Sequence, residues 1–273
     1  MKLIIENSSK EAGEFVALYI KKRINDFHPT EDRPFTLALP AGDEMLEMYK
    51  KLVELHKNGE VSFENVITFN TEEYIGLPRE CKQTVHTFML NNFFRYIDIK
   101  PKNANILNGN DENLTDECKK YEEKIKASGG IELLIATCGC DGSLAFNEPA
   151  SSLNTLTRVK TLSLEAKQSL SKYFDNKLEL VPNQALTVGV KTMMDSHEAV
   201  LLITGVHKSL VLHKAIEEGI SHMCTLSTFQ AHQQATFVID DDATLELKVK
   251  TVKYFKGLMK HHQKMLEPAS TQQ

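Results

Sequence analysis

The sequence predicts an α/β fold: an open, mostly parallel sheet with helices on both faces. Two observations carry the prediction. Short apolar runs rich in β-branched residues recur along the chain, and the longer stretches between them repeat their apolar residues at helical spacing. The runs 35–39, 66–69, 131–136, 186–190, 199–203 and 236–239 read as strands, and their nearly continuous hydrophobicity marks them as buried on both faces. Val16, Ile20, Ile24 and Phe27 form one helical stripe, Met45, Tyr49, Leu52 and Leu55 a second, and Leu210, His213 and Ile216 part of a third. Leu245, Val249, Val252, Phe255 and Met259 predict a terminal amphipathic helix whose lysines face solvent. Residues 101–116, rich in Asn, Asp and Gly, read as a connection. With no repeat or linker, the chain is expected to form a single domain over 1–273, ending in a flexible tail at 264–273.

A chain of 273 residues with 41% hydrophobic composition has ample material for one large core. Its 37 acidic and 32 basic residues give a net charge of -5, which argues against nucleic acid or an anionic membrane as a partner. The apolar start at 1–6 is too short for a signal peptide, and no run approaches the roughly 20 apolar residues of a spanning helix. A soluble, cytoplasmic protein is the expectation. Five cysteines, at 81, 118, 138, 140 and 224, make an odd and scattered set unlike a secreted disulfide framework. Cys138 and Cys140 form a lone CxC pair, so core thiols are expected and no metal site.

In such a sheet, ligands bind beyond the carboxyl ends of the strands. Four of those ends stand out. Strand 35–39 runs into Pro40-Ala41-Gly42-Asp43-Glu44, 66–69 into Asn70-Thr71-Glu72-Glu73-Tyr74, 131–136 into Thr137 to Pro149, and 199–203 into Thr204-Gly205-Val206-His207-Lys208. A glycine turn followed by a lysine suits an anion, though a plain helix-initiating turn reads equally well from so short a motif. Glu72 and Glu73 suit either a catalytic base or a solvated acidic turn. Glu148, held by Pro149, suits either an acid/base role or a helix cap.

The chain resembles the glucosamine-6-phosphate deaminase family over nearly its whole length. The similarity rests on FNTEEYIGLP at 69–78, NNFF at 91–94, AFNEP at 145–149, ALTVGV at 185–190 and DATLELKVKTVK at 242–253. It implies a Rossmann-like sugar-phosphate isomerase/deaminase fold, usually assembled as a hexamer, that works without a cofactor. Members isomerise glucosamine 6-phosphate and release ammonia to give fructose 6-phosphate. An imidazole assists ring opening, a carboxylate moves a proton between the second and first carbons, and further acids orient the imidazole. A glycine-rich loop and basic side chains hold the phosphate.

Carried over position by position, the resemblance places catalysis at Glu72, Asp141, Ser143 and Glu148. It places the substrate phosphate at Gly42, Asp43, Glu44, Lys172 and Lys208, with 162–185 as a lid. A second pocket, for N-acetylglucosamine 6-phosphate as effector, falls on Ser151, Arg158, Lys160 and Tyr254. Four departures accompany these matches. Ser143 stands where the family has histidine, and loss of a positioned acid/base group costs about 10²–10⁴-fold. Glu72 replaces aspartate, and Lys172 replaces an arginine of the lid. Asp43, Glu44 and Met45 replace glycine, threonine and proline of the phosphate loop. A carboxylate about 5 Å from phosphate opposes it by roughly 3 kcal/mol at an effective dielectric near 20. The expectation is therefore a catalytically impaired member that keeps effector binding or oligomer assembly, with itself or with an active relative. The alternative is an active deaminase converting glucosamine 6-phosphate and water to fructose 6-phosphate and ammonia.

Overall fold

The computed structural model describes residues 1–266. Of the tail expected at 264–273, residues 264–266 form a short 3-10 turn and the remainder lies outside the described residues. In chain order, the first half contains β1 (Lys2–Glu6), α1 (Ser9–Phe27), β2 (Phe35–Leu39), α2 (Leu46–Lys57), β3 (Val66–Asn70), β4 (Glu72–Tyr74), α3 (Val85–Asn92), β5 (Ala104–Asn105), α4 (Leu114–Ala127) and β6 (Leu133–Ala136). There follow β7 (Arg158–Thr161), α5 (Leu164–Leu170), β8 (Gln184–Thr187), α6 (Val190–Met194), β9 (Glu198–Ile203), α7 (Ser209–Glu217), β10 (Ala235–Asp240) and α8 (Val249–Gln263).

Seven strands form one sheet in the order β1-β10-β9-β6-β2-β3-β5, with every neighbouring pair parallel. Because side chains alternate along a strand, each strand feeds two cores. Ile4, Leu37, Leu39 and Val200 pack beneath α1 and α2 on one face. Leu3, Ile5, Ala38 and Leu201 pack beneath α4 and α7 on the other. From β2 the chain winds outward to β3 and β5, then returns to β6 on the opposite side of β2 and continues to β9 and β10. The sheet therefore changes winding direction between β2 and β6, and a crevice opens there above the strand ends.

The strand expectations hold for β2, β3, β6, β9 and β10 within a residue or two. The run 186–190 departs from expectation: it contributes β8, the centre of a separate antiparallel sheet ordered β4-β8-β7. Its hydrophobicity reflects packing of Leu186 and Val188 into the core on the α4 and α7 face, while the preceding Ala185 gathers with Leu162, Phe174, Val181 and Tyr74 in a small third core. On α7 the buried face is Val211, Leu212 and Ala215, whereas Leu210 is 53% exposed. Of the anticipated stripe, Ile216 packs against the core, whereas Leu210 sits at the helix start and is exposed. Leu245 and Val249 are likewise exposed, and α8 docks through Val252, Phe255 and Met259. The connection at 101–116 is shorter than expected, since Asn113 caps α4 by accepting from the Asp116 amide at 3.2 Å. Among the described residues, no helix is long and apolar enough to cross a membrane.

Candidate active site

At the change of winding lies a cleft of about 440 Å³. The loop 40–45 after β2, Thr71 and Glu72 after β3, and Thr137 to Gly139 after β6 form its floor and inner wall. Thr84, Val85 and Phe88 of the α3 turn form one wall, and Leu170 and Tyr173 from the segment 162–185 roof it.

Glu72 is the acidic side chain from β4 that faces this cleft. Its Oε1 accepts from the Ala41 amide at 3.2 Å and its Oε2 from the Thr71 hydroxyl. Burial pushes its carboxyl from 4.5 up to about 7; the two hydrogen bonds pull the other way, and the charge of Glu73 adds to the rise. A carboxyl at that value exchanges protons readily in both directions at neutral pH. Glu73 has a different task. Its carboxylate accepts from the amides of Tyr74 at 2.7 Å, Val85 at 3.1 Å and His86 at 3.0 Å, supplying partners for the otherwise unpaired first turn of α3. Of the two adjacent glutamates, one serves the cleft and one serves the fold.

Behind the floor, the Asp141 carboxylate accepts from the Ser143 amide at 3.0 Å and from its hydroxyl at 2.6 Å. Both groups press against Gly139, where a β-carbon would lie 2.6 Å from each side-chain oxygen. Glycine at 139 is thus what lets this pair approach the cleft wall. Ala145, at the cleft edge, sits at φ 48°, a conformation that costs a non-glycine residue of order 1–3 kcal/mol. Asn147 fixes the turn by donating to Leu144 O at 2.9 Å and Val188 O at 2.8 Å. Glu148 does not line the cleft. Its oxygens accept from the Ser163 amide at 3.2 and 3.3 Å, at the start of α5, which anchors the base of the roof.

The expected phosphate residues divide. Lys208 is 1% exposed, and its ammonium donates to the Glu44 carboxylate and, at 3.0 Å, to the Thr137 hydroxyl. Thr137 Oγ1 also lies 3.1 Å from Glu44, and His207 Nε2 is 3.8 Å from the same carboxylate. Gly42 adopts φ 137° with open space around it, turning the chain into the short 3-10 segment Asp43–Met45. Lys172 lies with its Nζ 4.8 Å over the Tyr173 ring. Burial acts to lower its pKa, but nearby Tyr173, Glu44 and Cys140 outweigh that and raise it. Thr137 and Thr71 are polar cleft residues that sequence reasoning did not single out. Their signal was available: each is the first residue past a strand carboxyl end.

The second group of expected residues lies away from the cleft. Arg158 and Lys160 are two apart on β7 and so share a face. The Arg158 guanidinium donates to Asn147 Oδ1 at 2.7 Å and has no carboxylate partner among the described residues. The Ser151 amide donates to Glu148 O at 3.0 Å, and its buried hydroxyl has no partner among the described residues. Tyr254 is 63% exposed on α8 and stacks edge-on against Phe255 at 5.1 Å. Cys118, Cys138 and Cys224 are buried core thiols, whereas Cys140, expected in the core with Cys138, is exposed; burial holds Cys138 up at about 12.

Fold and cleft together define a Rossmann-like protein of the sugar-phosphate isomerase and deaminase class. The chain belongs to the family described as glucosamine-6-phosphate isomerases/6-phosphogluconolactonase, whose profile matches residues 7–238. Glucosamine-6-phosphate deaminase 1 of Bos taurus and that of Homo sapiens are each 55% identical to it, over 98% of this chain and 93% of theirs. The glucosamine-6-phosphate deaminase of Drosophila melanogaster is 54% identical over 95% of each chain. Among solved structures, a monomeric glucosamine-6-phosphate deaminase is 32% identical, with a TM-score of 0.82 over 90% of this chain and 100% of its own. The 6-phosphogluconolactonase from Trypanosoma brucei, at 13% identity and a TM-score of 0.68, covers 90% of this chain and 98% of its own and shares the fold.

These relationships overturn the expectation of a catalytically impaired member. Identity of 54–55% over almost the entire chain to deaminases favours an active enzyme. The geometry gives physical reasons why the expectation failed. Glu44 is not a bare charge in the loop, because its carboxylate is paired with the buried Lys208 ammonium and any phosphate meets that pair rather than a lone anion. The longer side chain of Glu72 is accommodated by two hydrogen bonds and keeps a carboxyl near neutrality on the cleft wall.

Proposed function

We propose that this chain is an active deaminase that converts glucosamine 6-phosphate and water to fructose 6-phosphate and ammonia. The observation that carries this reading is Glu72, a carboxyl raised to about 7 on the wall of the cleft at the sheet's change of winding. In the open-chain sugar, ionised Glu72 takes the proton from the second carbon and returns it to the first. The oxygen on the first carbon meanwhile gains a proton and the nitrogen gives one up, so a hydroxyl stands at the first carbon and an imine at the second. Water adds there and ammonia departs, leaving the ketone. In ring opening, water at the cleft face of Gly139 would carry the proton that an imidazole would otherwise move, with the hydrogen-bonded Ser143 and Asp141 pair packed behind that glycine. The segment 162–185 acts as the lid, with Leu170 and Tyr173 excluding bulk water from the imine.

The test is product analysis with substrate deuterated at the second carbon. Ammonia and fructose 6-phosphate in equal amounts, with part of the deuterium at the first carbon of the product, is the expected result. Absence of ammonia release sinks the reading.

A second site is favoured by two features: among the described residues the buried Ser151 hydroxyl has no partner and Arg158 has no carboxylate. We propose that these residues and Lys160 take the phosphate of N-acetylglucosamine 6-phosphate as an effector. The resemblance places such a pocket between subunits, which would bring Tyr254 to it from a neighbouring copy in a homo-oligomer. Sedimentation with and without that ligand, beside heat of binding to Arg158→Ala, tests both parts. A monomer that binds none of it removes this second reading.

A further inference from the structure

Lys208 presents an arrangement that the proton transfer and imine hydrolysis do not explain. It is a cation with only 1% of its side chain exposed, at the carboxyl end of β9 beside the cleft. A buried ammonium is retained only where anionic or polar partners replace its water, and here those partners are Glu44 and Thr137. Glu44 reaches it from a different loop, 164 residues away in sequence, and is itself 34% exposed at the cleft. The carboxylate thus comes to the ammonium from the solvent side, along the route by which an anionic ligand would arrive. Gly42, with open space around its backbone, is the pivot from which the Glu44 turn springs.

We propose that Glu44 is a specificity-determining residue: its carboxylate occupies the anion position on Lys208, so a substrate phosphate binds only by displacing it. The idea rests on the deaminase reading for what the phosphate belongs to, but not for the competition itself. Two anions cannot share one ammonium with full strength, so apparent phosphate affinity is multiplied by the fraction of molecules in which Glu44 has swung away, and falls accordingly. His207, whose Nε2 lies 3.8 Å from the Glu44 carboxylate on its other side, and the cation Lys172, close enough to feel the same charge, are groups able to receive it when displaced. A sugar lacking phosphate meets no such competition. Discrimination between phosphorylated and unphosphorylated amino sugar is accordingly weaker than Lys208 alone would give.

The experiment is calorimetric titration of the whole chain with inorganic phosphate, for wild type, Glu44→Gln and Glu44→Gln/Lys208→Met. The single variant is expected to bind phosphate at least about tenfold more tightly than wild type, and the double variant to lose that gain. Because removing Glu44 strands a buried charge, phosphate is also expected to raise the unfolding temperature of Glu44→Gln far more than that of wild type. In turnover assays with glucosamine 6-phosphate the gain falls in KM, and the preference over unphosphorylated glucosamine widens. A Glu44→Gln chain that gains nothing from phosphate, in affinity or in folding, overturns the proposal. Tighter phosphate binding in a chain without deaminase turnover would uphold the competition and fail the deaminase reading, so the two are separable.

Discussion

Replacing Thr71 with valine should move the pH profile of the reaction in a predictable direction. The Thr71 hydroxyl donates to the Glu72 carboxylate and holds its pKa down, against the burial that raises it to about 7. Valine keeps the shape of this residue, which is 3% exposed, but cannot donate. If Glu72 must be ionised to take the proton, kcat/KM in wild type falls below pH 7 by about tenfold per unit, with about half of the molecules competent at the midpoint. A hydrogen bond to a charged group contributes about 1.5–3 kcal/mol, and each pH unit corresponds to about 1.4 kcal/mol. Thr71→Val should therefore shift the acidic limb upward by about one to two units while leaving the alkaline plateau within a few-fold of wild type. Initial rates of ammonia release across pH 5 to 9 measure it. A limb that stays in place in Thr71→Val would refute the assignment of Glu72 as the titrating base.

Other consequences follow from the same geometry. The raised carboxyl of Glu72 makes the folded state hold a proton that the unfolded chain releases near 4.5, so it costs stability as pH rises from 4.5 through about 7. Glu72→Gln should then be more stable than wild type by up to about 3 kcal/mol at pH 8 and indistinguishable from it at pH 4.5, read from urea midpoints. Gly139→Ala places a methyl 2.6 Å from the Asp141 and Ser143 oxygens, and should lower kcat/KM at least about tenfold, as does any displacement of a positioned group by about 1 Å; retained activity would remove that pair from the mechanism. Glu73→Ala strands the Val85 and His86 amides at the start of α3, and should cost about 1–3 kcal/mol of stability by chemical denaturation.

Much of this molecule is legible in its residues, and the failures have physical causes. The central strands are visible because burial on both faces leaves unbroken apolar runs, as in FTLAL of β2 and EAVLLI of β9. Their carboxyl ends point to the cleft without any structure. The face of α7 is not legible, since an exposed leucine and a buried one look alike in sequence and only the sheet beneath decides between Leu210 and Val211. Nor is the division of labour between Glu72 and Glu73, which depends on β4 turning one carboxylate toward the cleft and the other toward the start of α3. The meaning of Glu44 was hidden for a related reason. A carboxylate in a phosphate loop reads as repulsion until its partner, 164 positions away, is in place.

The most direct measurement of the central claim is kcat for glucosamine 6-phosphate on the purified chain beside its Glu72→Gln variant. The account predicts wild-type turnover in the ordinary enzymatic range of about 1–10³ s⁻¹, with loss of about 10²–10⁴-fold in the variant. A wild-type chain no faster than Glu72→Gln would contradict it.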